Sequence, residues 1–286
     1  MLSLKQLRTR IHTIKSIQKI TKAMHIVSAA KLRRIKGNID NIFEFPLNTK
    51  KIISNLINHY HLFELSDEQK YFLNQEYTKT NVTLIILITS ERGLCGNFNS
   101  SVIKKMKYDI ESKYKNKEIK LIIIGKKGYD ALKNLHANQI IDYYQTEKDK
   151  INLTSYQLSR KIIELITKRE IGNCQIYYNQ FKNVMSQVVI REQILPIDIS
   201  DDDYAECKYE GENIIDQSIH LYLIGSLSFA LNESKISEEA ARMTAMDSAT
   251  RNASQLIDNL NLILNRSSLA AISSEFNEII SGAEAT

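Results

Sequence analysis

The sequence predicts an α/β protein joined to a long helical coiled coil, in which helices from the two ends of the chain pair antiparallel around an inserted α/β domain. Three observations predict it. The 286 residues hold only 9 Gly and 2 Pro, about 4% where average usage is nearer 12%, so elements run long. Both ends space their apolar residues at steps of three and four and carry opposite charge. The middle carries short, nearly all-apolar runs separated by helical stretches, the pattern of strands buried on both faces.

The expected units are an N-terminal coiled-coil helix over 1–58, a central α/β domain over 78–197 and a C-terminal coiled-coil helix over 210–286. In the first, apolar residues fall at Leu4, Leu7, Ile11, Ile14, Ile17, Ile20, Met24 and Val27. That is a narrow helical stripe. Its extra three-step from Ile14 to Ile17 reads as a stammer that overwinds the supercoil locally. The helix could continue past Gly37 and Pro46 toward Ile57, although both residues weaken it.

The central segment has another grammar. Val82–Thr89 and Leu121–Ile124 read as buried strands. Helical stretches follow over Asn99–Lys115 and Lys126–Asn134, a third helix over Tyr156–Arg169, then strands over Cys174–Phe181 and Val184–Leu195. Strands alternating with helices indicate a partly parallel, Rossmann-like sheet. Pro196 and the acidic run Asp201, Asp202, Asp203 mark the exit linker.

The final segment alternates threes and fours through Met243, Met246, Thr250, Ala253, Ile257, Leu260, Leu264, Ser267 and Ala271. Thr250, Ala253, Ser267 and Ala271 are small enough for a neighbouring helix to approach closely. One helix over most of this stretch would reach about 100 Å. A rod with a single apolar seam must bury it, and the head is the other candidate in the chain. The plainer alternative is two ordinary amphipathic helices in a larger bundle.

Charge separates along the chain. Residues 1–39 carry 10 basic side chains and no acid, whereas residues 212–286 carry 4 basic and 10 acidic ones, within a net charge of +5. Such ends attract each other or separate partners. A basic, acid-free, amphipathic head also fits a mitochondrial transit peptide or a nucleic-acid arm, but neither accounts for the apolar spacing. Hydrophobic residues at 43% and charged ones at 25% exclude wholesale disorder. Cys95, Cys174 and Cys207 are sparse and odd in number, which argues for a reducing compartment. No run approaches about 18 consecutive apolar residues, so no membrane span is expected.

Candidate chemistry is thin. The stretch SERGLCGNFN, Ser90–Asn99, follows a strand and precedes a helix, where α/β proteins bind ligands. It lacks the glycine spacing and lysine of the phosphate loops. Gly125-Lys-Lys-Gly128 is a weaker candidate. Cys95 could be reactive, since Arg92 and a helix start would favour its thiolate; a packed, quiet thiol is the plainer reading. His59 and His61 have no third ligand nearby, so no metal is expected. No catalytic grouping and no cofactor site stand out.

Four segments carry a family resemblance: ITKAMHIVSAAKLRR (Ile20–Arg34), SERGLCGNFN, YYNQFKNVMSQ (Tyr177–Gln187), and EEAARMTAMDSATRNA (Glu238–Ala253) with EIISGAEAT (Glu278–Thr286). They resemble, in order and from end to end, the gamma subunits of F-type ATP synthases. The resemblance implies a non-catalytic rotary shaft that couples proton translocation through the membrane sector to ATP synthesis or hydrolysis at the beta subunits. The implied partners are the alpha and beta subunits of a ring around the terminal helices, with epsilon and the membrane c-ring near the α/β domain. Nucleic acid is not among them, and membrane association is indirect, through the Fo sector.

By the same resemblance, Thr21, Lys22, Met24, Arg242, Met246 and Arg251 are contacts to the ring, Lys22 being an electrostatic one toward an acidic loop of beta. Ile272, Ile279 and Ile280 turn inside an apolar bearing. Arg92, Gly93, Leu94, Cys95, Gly96, Phe98 and Asn99 form the central-domain motif. Ser268 and Leu269 stand where the family commonly has Arg and Gln, and Glu91 and Asn97 where it has Asp and Gly. No cysteine-bearing insert of the chloroplast type is present, so thiol regulation is not expected. A start directly on the helix favours a bacterial subunit, peripheral on the cytoplasmic face of the plasma membrane. The rival reading is a Rossmann-like protein that binds a nucleotide or small ligand and carries a helical oligomerisation region.

Overall fold

The computed structural model describes residues 3–37, 39–73, 80–115, 117–145, 151–198 and 213–284. They form helices α1 (Leu4–Lys36), α2 (Ile39–Glu64), α3 (Asp67–Leu73), α4 (Phe98–Lys113), α5 (Lys126–Leu132), α6 (Ile151–Thr167) and α7 (Ile214–Glu284). Strands are β1 (Val82–Ile88), β2 (Glu118–Ile124), β3 (Ile140–Tyr144), β4 (Asn173–Asn183) and β5 (Ser186–Leu195). The chain divides into two compact units, one of Met1–Ala29 with Arg242–Thr286 and one of Ala30–Ala241. Helix α7 alone has 71 residues.

The first unit is the antiparallel pairing of α1 with the later part of α7. Leu7 and Ile11 pack with Ile257 and Leu260, with Ile14 and Leu264 beside them. Further along, the Thr21 and Thr250 hydroxyls meet at 2.7 Å. On α7 the buried positions are Met246, Ala253, Ile257 and Leu260, the three-and-four spacing that the sequence shows.

On α1 the expectation needs correcting. Past Ile14, the residues that turn inward are Thr21 and Ser28, both buried, while Ile17, Ile20 and Val27 are exposed. The steps Leu7, Ile11, Ile14, Gln18, Thr21, His25, Ser28 keep alternating four and three, so the seam is continuous and no stammer is needed. Small and polar residues hold the inner line because the facing α7 positions, Ala253 and Thr250, bring the helices close.

The second unit is built on a five-stranded sheet of order β3-β2-β1-β4-β5. β1 runs parallel to both β2 and β4, β2 parallel to β3, and β4 antiparallel to β5. β1 shows why: Leu84, Ile86 and Ile88 enter one core with α6 and the early part of α7, and Ile85 and Leu87 enter another with Val102 and Met106 of α4 and Leu132 of α5. A strand with helices on both faces has no polar side, which is the all-apolar run in the sequence.

The helix expected to run on from the head is interrupted. α1 stops at Lys36 and α2 begins at Ile39, with Pro46 inside it. Gly225 of α7 lets α2 come close, since a Cβ there would stand 2.7 Å from Phe45 Cδ1. The strand β3 and the short helix α3 were not anticipated. Nor was the apolar length of α7: a window within Ile214–Ser274, of mean hydropathy 1.3, is long and apolar enough to cross a bilayer by composition alone. In the fold 61% of that window is buried inside the protein, as for a core helix.

Candidate subunit-contact surface

The residues singled out by sequence fall into two groups, one in each unit. In the paired helices, Lys22 is exposed and Met24 half-buried, but Thr21 lies in the seam. Its hydroxyl reaches Gln18 O at 3.0 Å as well as Thr250. Arg242 and Met246 are also buried within the chain. Arg251 is exposed and pairs with Asp247 at 2.9 Å, one turn before it.

The end of α7 differs from the rest of the pair. With Thr21 beside Thr250, an antiparallel register brings the start of α1 at Leu4 level with about residue 267 of α7. The turns beyond have no α1 alongside. There Leu269, Ile272, Phe276 and Ile280 are all exposed, and the side chain of Ile279 lies outside the described ones. The last turns of α7 thus carry several large apolar side chains exposed within the described residues.

In the second unit, the stretch Ser90–Asn99 is a self-bonded loop at the carboxyl end of β1. Ser90 N–H donates to Asn99 Oδ1 at 2.9 Å, and Asn99 Nδ2 donates to Ser90 Oγ at 2.7 Å and to Cys95 Sγ at 3.3 Å. Asn179 of β4 donates to Phe98 O at 3.1 Å. Cys95 and Phe98 are buried against Ala241 of α7, which gives Cys95 the quiet, packed setting. Gly96 and Leu94 both take left-handed conformations, with φ of 58° and 65°. Leu94 is nevertheless 61% exposed, an apolar side chain held outward by a backbone that resists it. Arg92 is exposed, and Gly93 lies beside the Lys127 side chain.

Thr89, which the sequence reading passed over, ties the end of β1 to the turn between β2 and α5. Its single hydroxyl proton lies between the Ile124 and Gly125 carbonyls at 2.8 and 3.1 Å, and its oxygen accepts from Gly128 N–H at 2.9 Å. The signal was available: a Thr ending an all-apolar strand, with the Gly125 and Gly128 pair after the next one. Among the described residues no His, Cys, Asp and Glu side chains group in threes fit to hold a metal ion. The side chains of His59 and His61 lie outside the described ones. Cys174 is fully enclosed, and burial pushes its thiol well above the usual range.

Comparison with known proteins gives these surfaces a family. The model of the family described as ATP synthase matches residues 3–286. The ATP synthase gamma chain of Rickettsia felis is 48% identical over the whole of both chains, and that of Rickettsia typhi 49% identical over the whole of both. Among solved structures, the rotor of the Euglena gracilis mitochondrial ATP synthase aligns with a TM-score of 0.70 at 18% identity, covering 94% of this chain and 98% of that one, a likeness of fold. A chain from the central stalk and c-ring of the Tetrahymena thermophila mitochondrial ATP synthase aligns with a TM-score of 0.56 at 25% identity, covering 80% of this chain and 99% of that one. On near-half identity along its full length, the chain belongs to the ATP synthase gamma-chain family.

Proposed function

We propose that the chain is the central rotary shaft of an F-type ATP synthase, with no catalytic site of its own. The observation that carries this reading is the end of α7, where Ile272, Phe276 and Ile280 stand exposed beyond the reach of α1. They suit a bearing formed by the alpha and beta subunits. Lys22 and Arg251, exposed on the pair, serve as polar contacts to the same ring. Thr21, Arg242 and Met246 act from inside the pair by fixing how α1 and α7 present those groups. The α/β unit, through the loop of Arg92 and Leu94 among its surfaces, serves contacts within the complex, whose further members are epsilon and the c-ring. The complex is membrane-associated, and the relatives of Rickettsia favour a bacterial plasma membrane with this subunit on its cytoplasmic face.

The physics of such a part is that of an allosteric ligand. A shaft can drive a nucleotide site only by stabilising one of its states more than another. A two-helix rod suits this because its surface differs all the way round. Ring subunits meeting different faces therefore feel different contacts.

Reconstitution tests the proposal. Full-length chain added to purified alpha and beta subunits restores ATPase activity, and the chain alone neither binds nor hydrolyses ATP. A chain lacking its last dozen residues restores less activity at equal concentration. Hydrolysis by the isolated chain, or saturable nucleotide binding lost in Gly93→Val, would transfer support to the Rossmann-like ligand-binding reading.

A further inference from the structure

The sheet of the second unit ends at one side on β3, and among the described residues no strand pairs with the outer side of β3. In a parallel strand the main chain alternates between residues that face the neighbour and residues that face away. Tyr144 faces β2, the parallel neighbour, since its carbonyl accepts from Gly125 N–H at 2.9 Å. Tyr143 therefore turns its N–H to the open edge. That N–H is not left to solvent: it donates to Asp142 Oδ1 at 2.8 Å, while Asp142 Oδ2 accepts from the Tyr144 hydroxyl at 2.9 Å. Both oxygens of one carboxylate are thus fixed.

The strand is one that another strand could read. Asp142 is the one charge in Ile140–Tyr144, and the other residues are isoleucines and tyrosines, types that favour sheets. Ile141 is 37% exposed. A segment of this kind with bare main-chain groups is a template for strand addition. It is also held in place, because Tyr143 stacks on Tyr129 of α5 with ring centroids 4.6 Å apart, and Tyr144 packs against the core on the opposite face. A water on the Tyr143 N–H would give way to the carbonyl of an incoming strand. A carboxylate fixed at both oxygens resists, since its bond is charge-assisted and its oxygen repels the carbonyl that would replace it.

We propose that Asp142 shuts this edge against a second copy of the chain, which would otherwise add its own β3 and extend the sheet. The strand itself sets the occupant. With the carboxylate gone, two identical apolar edges pair about a two-fold axis and bring no like charges together; with it present, two carboxylates meet across that axis. Asp142 thus keeps the free chain single at this edge. The device lies wholly in the second unit and works whether or not the chain is a shaft.

Sedimentation velocity of the full chain over a range of concentrations tests this. Asp142→Ala should raise the self-association constant about tenfold or more over the unaltered chain. Adding Ile141→Lys, which puts a charge back on the same edge, should return it to the starting value. Equal association of the Asp142→Ala and unaltered chains overturns the proposal, as does extra association that Ile141→Lys leaves in place. A dimer of the unaltered chain that Ile141→Lys alone abolishes overturns it too, because the edge would then be open with Asp142 present. Should Asp142→Ala fail to fold by circular dichroism, amide exchange in the unaltered chain decides. The Tyr143 N–H should exchange at least about tenfold more slowly than an unbonded amide, and exchange at the unbonded rate overturns the proposal.

Discussion

The Tyr177 hydroxyl donates a 3.0 Å hydrogen bond to Asp109 Oδ2 between β4 and α4. Asp109 is fully buried, and Lys105 and Lys113, one turn to either side, reach its other oxygen at 3.3 and 3.6 Å. The carboxylate thus pins α4 onto the sheet by a bond from below and two charges from the flanks. Burial pushes the Tyr177 hydroxyl up, so it stays protonated and donates throughout. Tyr177→Phe should cost about 1–3 kcal/mol by leaving a buried acceptor short of a partner. Replacing both lysines with Met should cost about as much, since the flanking cations are partly exposed and screened. Urea unfolding of the full chain measures both.

Gly125 and Gly128 are fixed by Thr89. A Cβ on Gly125 would lie 2.1 Å from Thr89 O, at a φ of 94°, and one on Gly128 would lie 2.7 Å from Thr89 Oγ1. Gly125→Ala should therefore cost about 3 kcal/mol or more through clash and backbone strain. Gly128→Ala should cost less in a Thr89→Ala background than alone. That difference, read from a double-mutant cycle, is the check.

Much of this was legible in the sequence, and the reasons separate by residue. β1 and β2 declared themselves because a strand covered on both faces has no polar position. β3, IIDYY, sits at an edge of the sheet with its residues half-buried or exposed, so no periodicity reports it. The α7 seam was readable because Met246, Ala253, Ile257 and Leu260 are buried as their spacing says. The α1 seam was misread past Ile14 because the apolar residues there face outward. Hydropathy reports that a residue is apolar, not which face of its helix turns inward. Thr89 was missed because its role lies in a hydroxyl at a strand end, which no pattern of apolar residues marks.

Ile11 and Ile17 offer a direct comparison on one helix. Ile11 packs against α7 and Ile17 is exposed. Ile11→Ala should destabilise the helix pair by about 2–4 kcal/mol, and Ile17→Ala by under about 0.5 kcal/mol. Amide hydrogen exchange along α1 distinguishes them, with protection lost in the first variant and kept in the second.

Two carboxyls, Glu233 buried and Glu192 half-buried, make the second unit sensitive to pH. Burial raises Glu192 above its ordinary 4.5, against the opposing effects of the Tyr178 hydroxyl and Lys50. Burial likewise raises Glu233 above 4.5, although Phe181 N–H donates to it at 3.0 Å. A raised folded-state pKa means that the folded chain holds the proton more tightly than the unfolded one. The stability from this source is complete below about pH 4.5 and drains away as pH rises through the folded values. Glu192→Gln and Glu233→Gln should each flatten that fall, seen in urea midpoints taken from about pH 4 to 7.

The seam threonines form a symmetrical pair: Thr250 reaches Met246 O at 2.8 Å and Thr21 reaches Gln18 O at 3.0 Å, each on its own helix, and the two hydroxyls share the 2.7 Å bridge. Either single change to Val should cost about 1 kcal/mol, whereas the double change Thr21→Val with Thr250→Val should come near neutral, because it removes both polar atoms together. A cycle of melting temperatures reads the coupling.

Closing the chain upon itself also sets a timetable for its birth. Leu7 leaves the ribosome 250 residues before Ile257, the side chain it packs beside. At about 5–20 residues per second that interval lasts roughly 10 to 50 seconds. Throughout it the nascent amino-terminal helix has its apolar line bare, protected from clumping chiefly by its unopposed positive charges. Synthesis must therefore run past Leu260 before this protein can complete its first unit.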